Sequence, residues 1–471
     1  MPAERRSPDA PDPTTAREAT GPGGPITDPL DPPADALATP LPALEPGGEA
    51  DVTAASLWRN ADFMKLWVGE TVSEFGSQVT LIAIPFAAAV VLKATAADMG
   101  VLAALQMLPF LLISLPAGVW VDRMRRRPIL IAADVVRGMV LLAVPIAGIT
   151  GNLSIPLLYV VSLIAGCATV FFDVSYQSYM PALVERGHLI EGNSKMELSR
   201  SAAQFGGPGV GGVLVGLVGA AQAVLFDSLS FFFSGAMLLW IHKGEPAPVP
   251  SHERRHMVHE IREGLAVVLG NPVLRAIAST TATSNLFSSI SFATLILFAT
   301  RDLGLDAVHL GLVFALANVG AMCGALLAGR MAARLGLGNT LMLAIFVGSV
   351  ANLLVPVAEP ATALPFLFGA MFAGAAGSTI YNINQVSLRQ SITPDRLQGR
   401  MNASMRFVVW GVFPIGSLIG GALGTLLGVR AGIAVGAVGG LVTVLWLVFS
   451  PVRTLRVPPP PWEREAEARP G

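Results

Sequence analysis

The chain has 471 residues, of which 53% are apolar and only 13% charged, where a soluble domain carries about a quarter charged residues. Its mean hydropathy is +0.61 and its pI about 6.6. With a formal net charge of −1, it lacks the basic surface that a nucleic-acid partner needs, and this composition excludes an ordinary soluble domain.

Residues 1–55 are rich in Pro, Ala, Gly, Asp and Glu and contain no apolar run of a signal peptide. They read as a disordered tail that cannot bury enough surface to fold. Twelve mostly apolar stretches follow, at 64–92, 97–120, 128–149, 156–181, 196–219, 222–242, 272–299, 307–333, 339–358, 362–388, 401–427 and 430–451. Each is long enough to cross the hydrocarbon core as a helix, which takes about 20 residues. Barrel strands would be about 9–11 residues long and alternating. The fold class expected is therefore an all-α membrane protein with twelve transmembrane helices. It divides into a first six-helix half (56–242), a linker (243–271), a second six-helix half (272–452) and a polar tail (453–471).

Basic residues orient the spans. Connectors on one side hold Arg123, Arg125 to Arg127, Arg186, Lys195, Lys243, Arg254, Arg255, Arg262, Arg275, Arg330, Arg334, Arg389, Arg396 and Arg400. The other side holds only Lys93, Arg301 and Arg430. The rich side reads as cytoplasmic, so both termini are expected in the cytoplasm and the chain in the cytoplasmic membrane.

The linker begins with Pro246, Pro248 and Pro250 and continues as an amphipathic helix with Ile261, Leu265 and Val268 on one face, expected to lie on the membrane surface. His252, His256 and His259 share its helical spacing but lack the carboxylate or cysteine partners of a metal site, and read as a solvated face. Cys167 and Cys323 lie in apolar runs and read as inert packing residues. No phosphate-binding Gly-Lys-Ser/Thr loop occurs, so ATP drive is not expected, nor is a cofactor or an enzymatic activity.

The two halves repeat one another. Gln177, Asn193 and Gly211-Gly212 recur as Gln385, Asn402 and Gly420-Gly421 at an offset of about 209 residues. Two parallel six-helix repeats are a known transporter plan, with the substrate site between them.

Two motifs stand out. The first is Gly118-Val119-Trp120-Val121-Asp122-Arg123-Met124-Arg125-Arg126-Arg127. It is similar to the G-x-x-x-D-R-x-G-R-R loop of the major facilitator superfamily, with Arg125 in place of the last glycine. On this motif the chain from about Leu57 to Pro451 resembles that superfamily, and within it the bacterial branch of enterobactin exporters and macrolide efflux proteins. The resemblance implies a gate in which Asp122, Arg123, Arg126 and Arg127 hold one access state closed. An acid at a helix end suits that role, because it pairs with cations or with the positive end of a neighbouring helix. The second-half copy has Ala333 in place of the acid, so its gate is degenerate. The second motif, Gly207-Pro208-Gly209-Val210-Gly211-Gly212, resembles the core of the antiporter motif of drug exporters. Its proline bends the helix and its glycines admit a neighbour closely.

Charge inside a span is expensive and usually faces a cavity. Candidates for coupling or for the cavity lining are Glu70, Glu74, Asp173, Asp227 and Arg406, with the amides Asn285, Asn384 and Gln385, which either line the cavity or bond between helices. Glu70 and Glu74 share one helix face and repel when both are ionised, which favours keeping a proton on one of them. Asp134 and Arg137, three apart near the cytoplasmic side, read as a structural pair or as partners of the Asp122 loop. Phe171, Phe172, Phe231 to Phe233, Phe287 and Phe292 either line an apolar cavity or face lipid. The function expected is a secondary transporter, a proton-coupled exporter of amphipathic small molecules working as a monomer. A nutrient importer of the same fold and a non-transporting scaffold remain the alternatives.

Overall fold

The computed structural model describes residues 57–121, 123–245 and 257–459. The predicted N-terminal tail, Asp122, His252 and His256 of the linker, and the tail beyond 459 lie outside the described residues.

Asn60 starts α1 (Ala61–Phe86) by accepting the amides of Asp62 and Phe63, and the helix runs on past Pro85 as a π-turn, Ala87–Val91. α2 (Ala96–Leu112) opens on a reciprocal Thr95–Asp98 capping box and breaks at Ile113 before α3 (Ser114–Val121). The predicted second span is thus two helices, with Pro109 one turn before the break. α4 (Arg126–Thr150), α5 (Ile155–Leu183), α6 (Leu189–Val218) and α7 (Ala220–Leu239) complete the first half. The linker helix is α8 (Met257–Gly270). The second half holds α9 (Pro272–Arg301), α10 (Ala307–Leu335), α11 (Leu337–Asn352), the short α12 (Leu354–Val357), α13 (Ala363–Ile392), α14 (Asp395–Leu426) and α15 (Val429–Val448). Helices suit the bilayer because each satisfies its own backbone. α6 and α14 begin at Leu189 and Asp395, well before the predicted 196 and 401, because their first turns are polar and continue the helix beyond the apolar run.

The halves pack alike. In the first, α1 lies against α6 and α7, α4 against α5 and α7, and α2 against α5. In the second, α9 lies against α14 and α15, α11 against α13 and α15, and α10 against α13. The chain therefore forms two six-helix pseudo-repeats. They meet where α2 crosses α14 and where α6 crosses α10. Ile149, Leu217 and Leu426 stand more than three-quarters exposed on the outside of the bundle, as lipid-facing side chains do. Trp58, Trp120, Trp240 and Trp446 are half-exposed near the end that carries the linker, where aromatic side chains anchor a bilayer interface.

That linker end also holds Arg126, Arg334, Arg389 and Arg400, whereas the far end holds Lys93, Arg301 and Arg430. α8 does more than lie on a surface. Val268 is fully buried in the second half's apolar core, and Gly264 sits against the Arg400 carbonyl and the Ser404 side chain of α14. At the far end the halves close together: Ala88, Ala89 and Ala94 share one apolar cluster with Ile296, Leu297 and Leu310. The Arg301 guanidinium donates across the divide to the Ala89 and Ala94 carbonyls at 3.0 and 2.8 Å.

Candidate functional site

The arginines of the first motif grip the end of α7. The Arg126 and Arg127 amides donate to the Glu245 carboxylate at 2.7 and 3.1 Å, which caps the N-terminus of α4. The Arg127 side chain donates to the Leu238 and Leu239 carbonyls at 2.9 and 2.7 Å. Gly118 faces open space, and Arg123 is exposed. Asp122, the acid of the expected gate, lies outside the described residues.

The second motif sits at the crossing of α6 with two neighbours. Gly207 and Gly211 face Gln78 and Val79 of α1, while Gly212 faces Ala307 and Gly311 of α10 in the other half. A Cβ at Gly311 would lie 2.5 Å from the Pro208 carbonyl oxygen, so a side chain there would push the halves apart. The repeat is kept in space: Gly420 faces Ile290 of α9, and Gly421 faces Gly100 of α2 across the divide. Pro208 has no N–H, so the carbonyl four residues before it, that of Gln204, loses its helix partner. The Asn318 amide of α10 takes that place, donating to the Gln204 oxygen at 2.5 Å and to its own Phe314 carbonyl at 3.1 Å.

Between the halves lies a cavity of about 1200 Å³. It extends to Gln177, Asn193 and Ser194, which are exposed toward the linker end. Glu70, Glu74, Asp173, Asp227 and Arg406 all line it, so the structure brings together every ionisable cavity candidate. Glu70 Oε2 is buried with no hydrogen-bond partner among the described residues. Asp227 is almost fully buried and accepts from the Ser230 hydroxyl at 3.3 Å. Asp173 lies within electrostatic reach of Arg137, Arg200 and Arg406.

The three amide candidates lie elsewhere. Asn285 donates to the Val409 carbonyl of α14 at 2.9 Å, Asn384 to the Ile380 carbonyl at 2.8 Å, and Gln385 to the Asn382 side chain at 2.9 Å. Each spends its donor between or within helices and is absent from the cavity lining. Of the phenylalanines singled out from the sequence, Phe172 and Phe231 line the cavity, where Phe110 joins them. Phe171 stacks on Trp120, Phe232 packs on Gly138, Phe287 packs on Gly439, Phe233 is partly exposed, and Phe292 meets Phe314.

Arg137, expected as a structural partner of Asp134, also lines the cavity: its guanidinium pairs with Asp134 and lies 4.1 Å from the ring centres of both Phe172 and Phe231. Other lining residues escaped the sequence reading. Glu197 and Arg200 also line the cavity, with Trp410 of α14. Glu197, Arg200 and Gln204 are spaced three and four apart, which puts them on one helix face. That periodicity was the available signal, but their position near the start of a span made them resemble end residues.

The family of transmembrane secretion effectors matches residues 52–462. The multidrug efflux pump Tap of Mycolicibacterium fortuitum is 25% identical over 358 residues, covering 74% of this chain and 85% of Tap. The enterobactin exporter EntS of Citrobacter koseri is 25% identical over 352 residues, covering 73% of this chain and 81% of EntS. Among solved structures, a bacterial homologue of the iron transporter ferroportin in its inward-facing state superposes with a TM-score of 0.69 at 16% identity, over 83% of this chain and 98% of that one. Its outward-facing state gives 0.51 at 17% identity, over 82% and 98%. A family match across most of the chain, joined to a fold of two six-helix repeats, places it: the chain belongs to the transmembrane secretion effectors of the major facilitator superfamily, and is a multi-pass membrane transporter rather than an enzyme.

Proposed function

We propose that the chain is a proton-coupled exporter of amphipathic small molecules that works by alternating access in the cytoplasmic membrane. The observation that carries this reading is the cavity between the halves, lined by Glu70, Glu74, Asp173 and Asp227 and running toward the linker end. The efflux relatives support the direction of transport, and the basic linker end supports a cytoplasmic placement for it and for both termini. The better superposition on an inward-facing structure supports reading the described arrangement as open to the cytoplasm. The proposed units are the halves 56–242 and 272–452, with the loop from Gly118 to Arg127 as gate and the Gly207–Gly212 segment as the crossing on which they rock.

Coupling falls to the carboxyls. Glu74, one turn from Glu70, takes a proton from outside and releases it inside while substrate moves outward. The test is export of a panel of fluorescent amphipathic dyes from reconstituted vesicles, with and without an imposed pH gradient. Wild type should move dye uphill only with the gradient, and Glu74→Gln should keep downhill exchange while losing the uphill response. If wild type ignores the gradient, proton coupling is wrong. If Glu74→Gln responds as wild type does, the coupling acid is Asp173 or Asp227.

A further inference from the structure

We propose that the cavity takes zwitterionic amphipaths and that Arg406 grips their anionic end; this rests on the transport reading above. The two walls of the cavity carry different charge. The first half supplies Glu70, Glu74, Asp173, Glu197 and Asp227, whereas the second half supplies Arg406 and Trp410 and no acid. The asymmetry runs through the whole membrane region, since no Asp or Glu occurs within α9 to α13 or α15, nor in α14 beyond its first residue.

The cations differ in availability. Arg137 is engaged by Asp134 and held between two aromatic rings. Arg200 stands three residues from Glu197 among the carboxylates of the first-half wall. Arg406 makes no ion pair or hydrogen bond among the described residues, and is exposed to the cavity. Its guanidinium lies 5.6 Å from the centre of the Trp410 ring, and that ring lies 5.8 Å from Phe110 of the first half.

In the alternating-access cycle proposed above, a substrate that touches both walls meets opposite charges. Carboxylates on one wall suit an ammonium group. A planar guanidinium with free donors on the other suits a carboxylate or phosphate, which it binds through two parallel hydrogen bonds. Phe110 and Trp410 add a flat apolar platform between them. The matching ligand has a basic group, a flat aromatic body and an anionic group. A simple cation leaves Arg406 facing a like charge, and a simple anion meets the carboxylates.

The probes are norfloxacin, a fluorescent aromatic zwitterion, and its methyl ester, which keeps the amine and lacks the anion. Binding to purified protein in detergent is read by fluorescence polarisation. Wild type should bind norfloxacin about tenfold more tightly than the ester. Arg406→Gln should bring the two level by weakening norfloxacin alone. Arg406→Lys should fall between, since it keeps the charge and loses the planar fork. Equal binding of both probes by wild type, or no binding of norfloxacin, overturns the proposal. So does equal weakening of both by Arg406→Gln, which marks a merely structural residue. If Arg406→Gln does not fold, Arg406→Lys decides, and an unchanged preference overturns the assignment. The wild-type preference, lost in Arg406→Gln, without flux in vesicles overturns the exporter reading and leaves this one standing. Equal flux of ester and acid overturns this one and leaves the exporter.

Discussion

Asp134 is fully buried, and its ion pair with Arg137 balances its charge inside a helical bundle. Breaking a buried pair from one side leaves the other charge stranded, at a cost of about 3–5 kcal/mol, whereas replacing both partners by apolar side chains is often neutral. Arg137→Met alone, and Asp134→Leu alone, should therefore lower the thermal midpoint of the detergent-solubilised protein sharply. The double variant should recover most of that loss. A double variant as unstable as the singles would mean that the pair is not the unit of stability. At this scale the residue type says more about where an acid sits than about where an amide does. A carboxylate in an apolar run is costly enough to imply a cavity, and Glu70, Glu74, Asp173 and Asp227 all line one. An amide is cheap enough to bond to a backbone carbonyl, as Asn285 does to Val409, and nothing in the residue type separates that use from lining a cavity. The same limit hid Arg137, whose pairing with Asp134 was legible from spacing while its place between Phe172 and Phe231 was not.

Pro208 gives α6 a carbonyl without a helix partner, and Asn318 supplies the missing donor from the opposite half. The bond is therefore conditional on the proline. In Pro208→Ala, the new amide competes for the Gln204 oxygen, and Asn318 loses its cross-half partner. Asn318→Ala should cost about 1 kcal/mol in the wild-type background and close to nothing in Pro208→Ala. Thermal midpoints of the four proteins in a double-mutant cycle measure this coupling. Costs that simply add would show the two residues to be independent. Length and hydropathy made the existence of every span legible, because crossing a bilayer demands a fixed apolar length. They did not reveal the break at Ile113 or the polar starts of α6 and α14, since those depend on proline geometry and on helix continuing past the apolar stretch. The Gly207–Gly212 motif was legible as a close-packing site. Its partners Val79 and Gly311 were not, because a glycine does not say which helix it admits.

Across the whole molecule, the duplication reaches beyond the spans. The Arg126 and Arg127 amides at the start of α4 are capped by Glu245, just after α7. The Leu337 and Gly338 amides at the start of α11 donate to the Arg456 and Leu455 carbonyls, just after α15, at 3.1 and 2.8 Å. Each half thus ties the start of its third span to the segment leaving its sixth, by a side chain in one and by backbone in the other. A bundle with an even number of spans puts α1, α8 and the end of α15 at one end, and the crowding of arginines there makes it the expected cytoplasmic face. Single cysteines test this in a background with Cys167→Ser and Cys323→Ala. At the far end Asn152 is exposed and is a better choice than Gly151, whose φ of 72° strains any side chain. At the linker end Gly187 is exposed with open space around it. In intact cells, Asn152→Cys should react with an impermeant thiol reagent, whereas Gly187→Cys should react only after the membrane is permeabilised. The reverse pattern would invert the orientation, and with it the direction in which the cavity opens: a cavity reaching the outside in this state would be placed to receive substrate for uptake, and the exporter reading would fall with the topology.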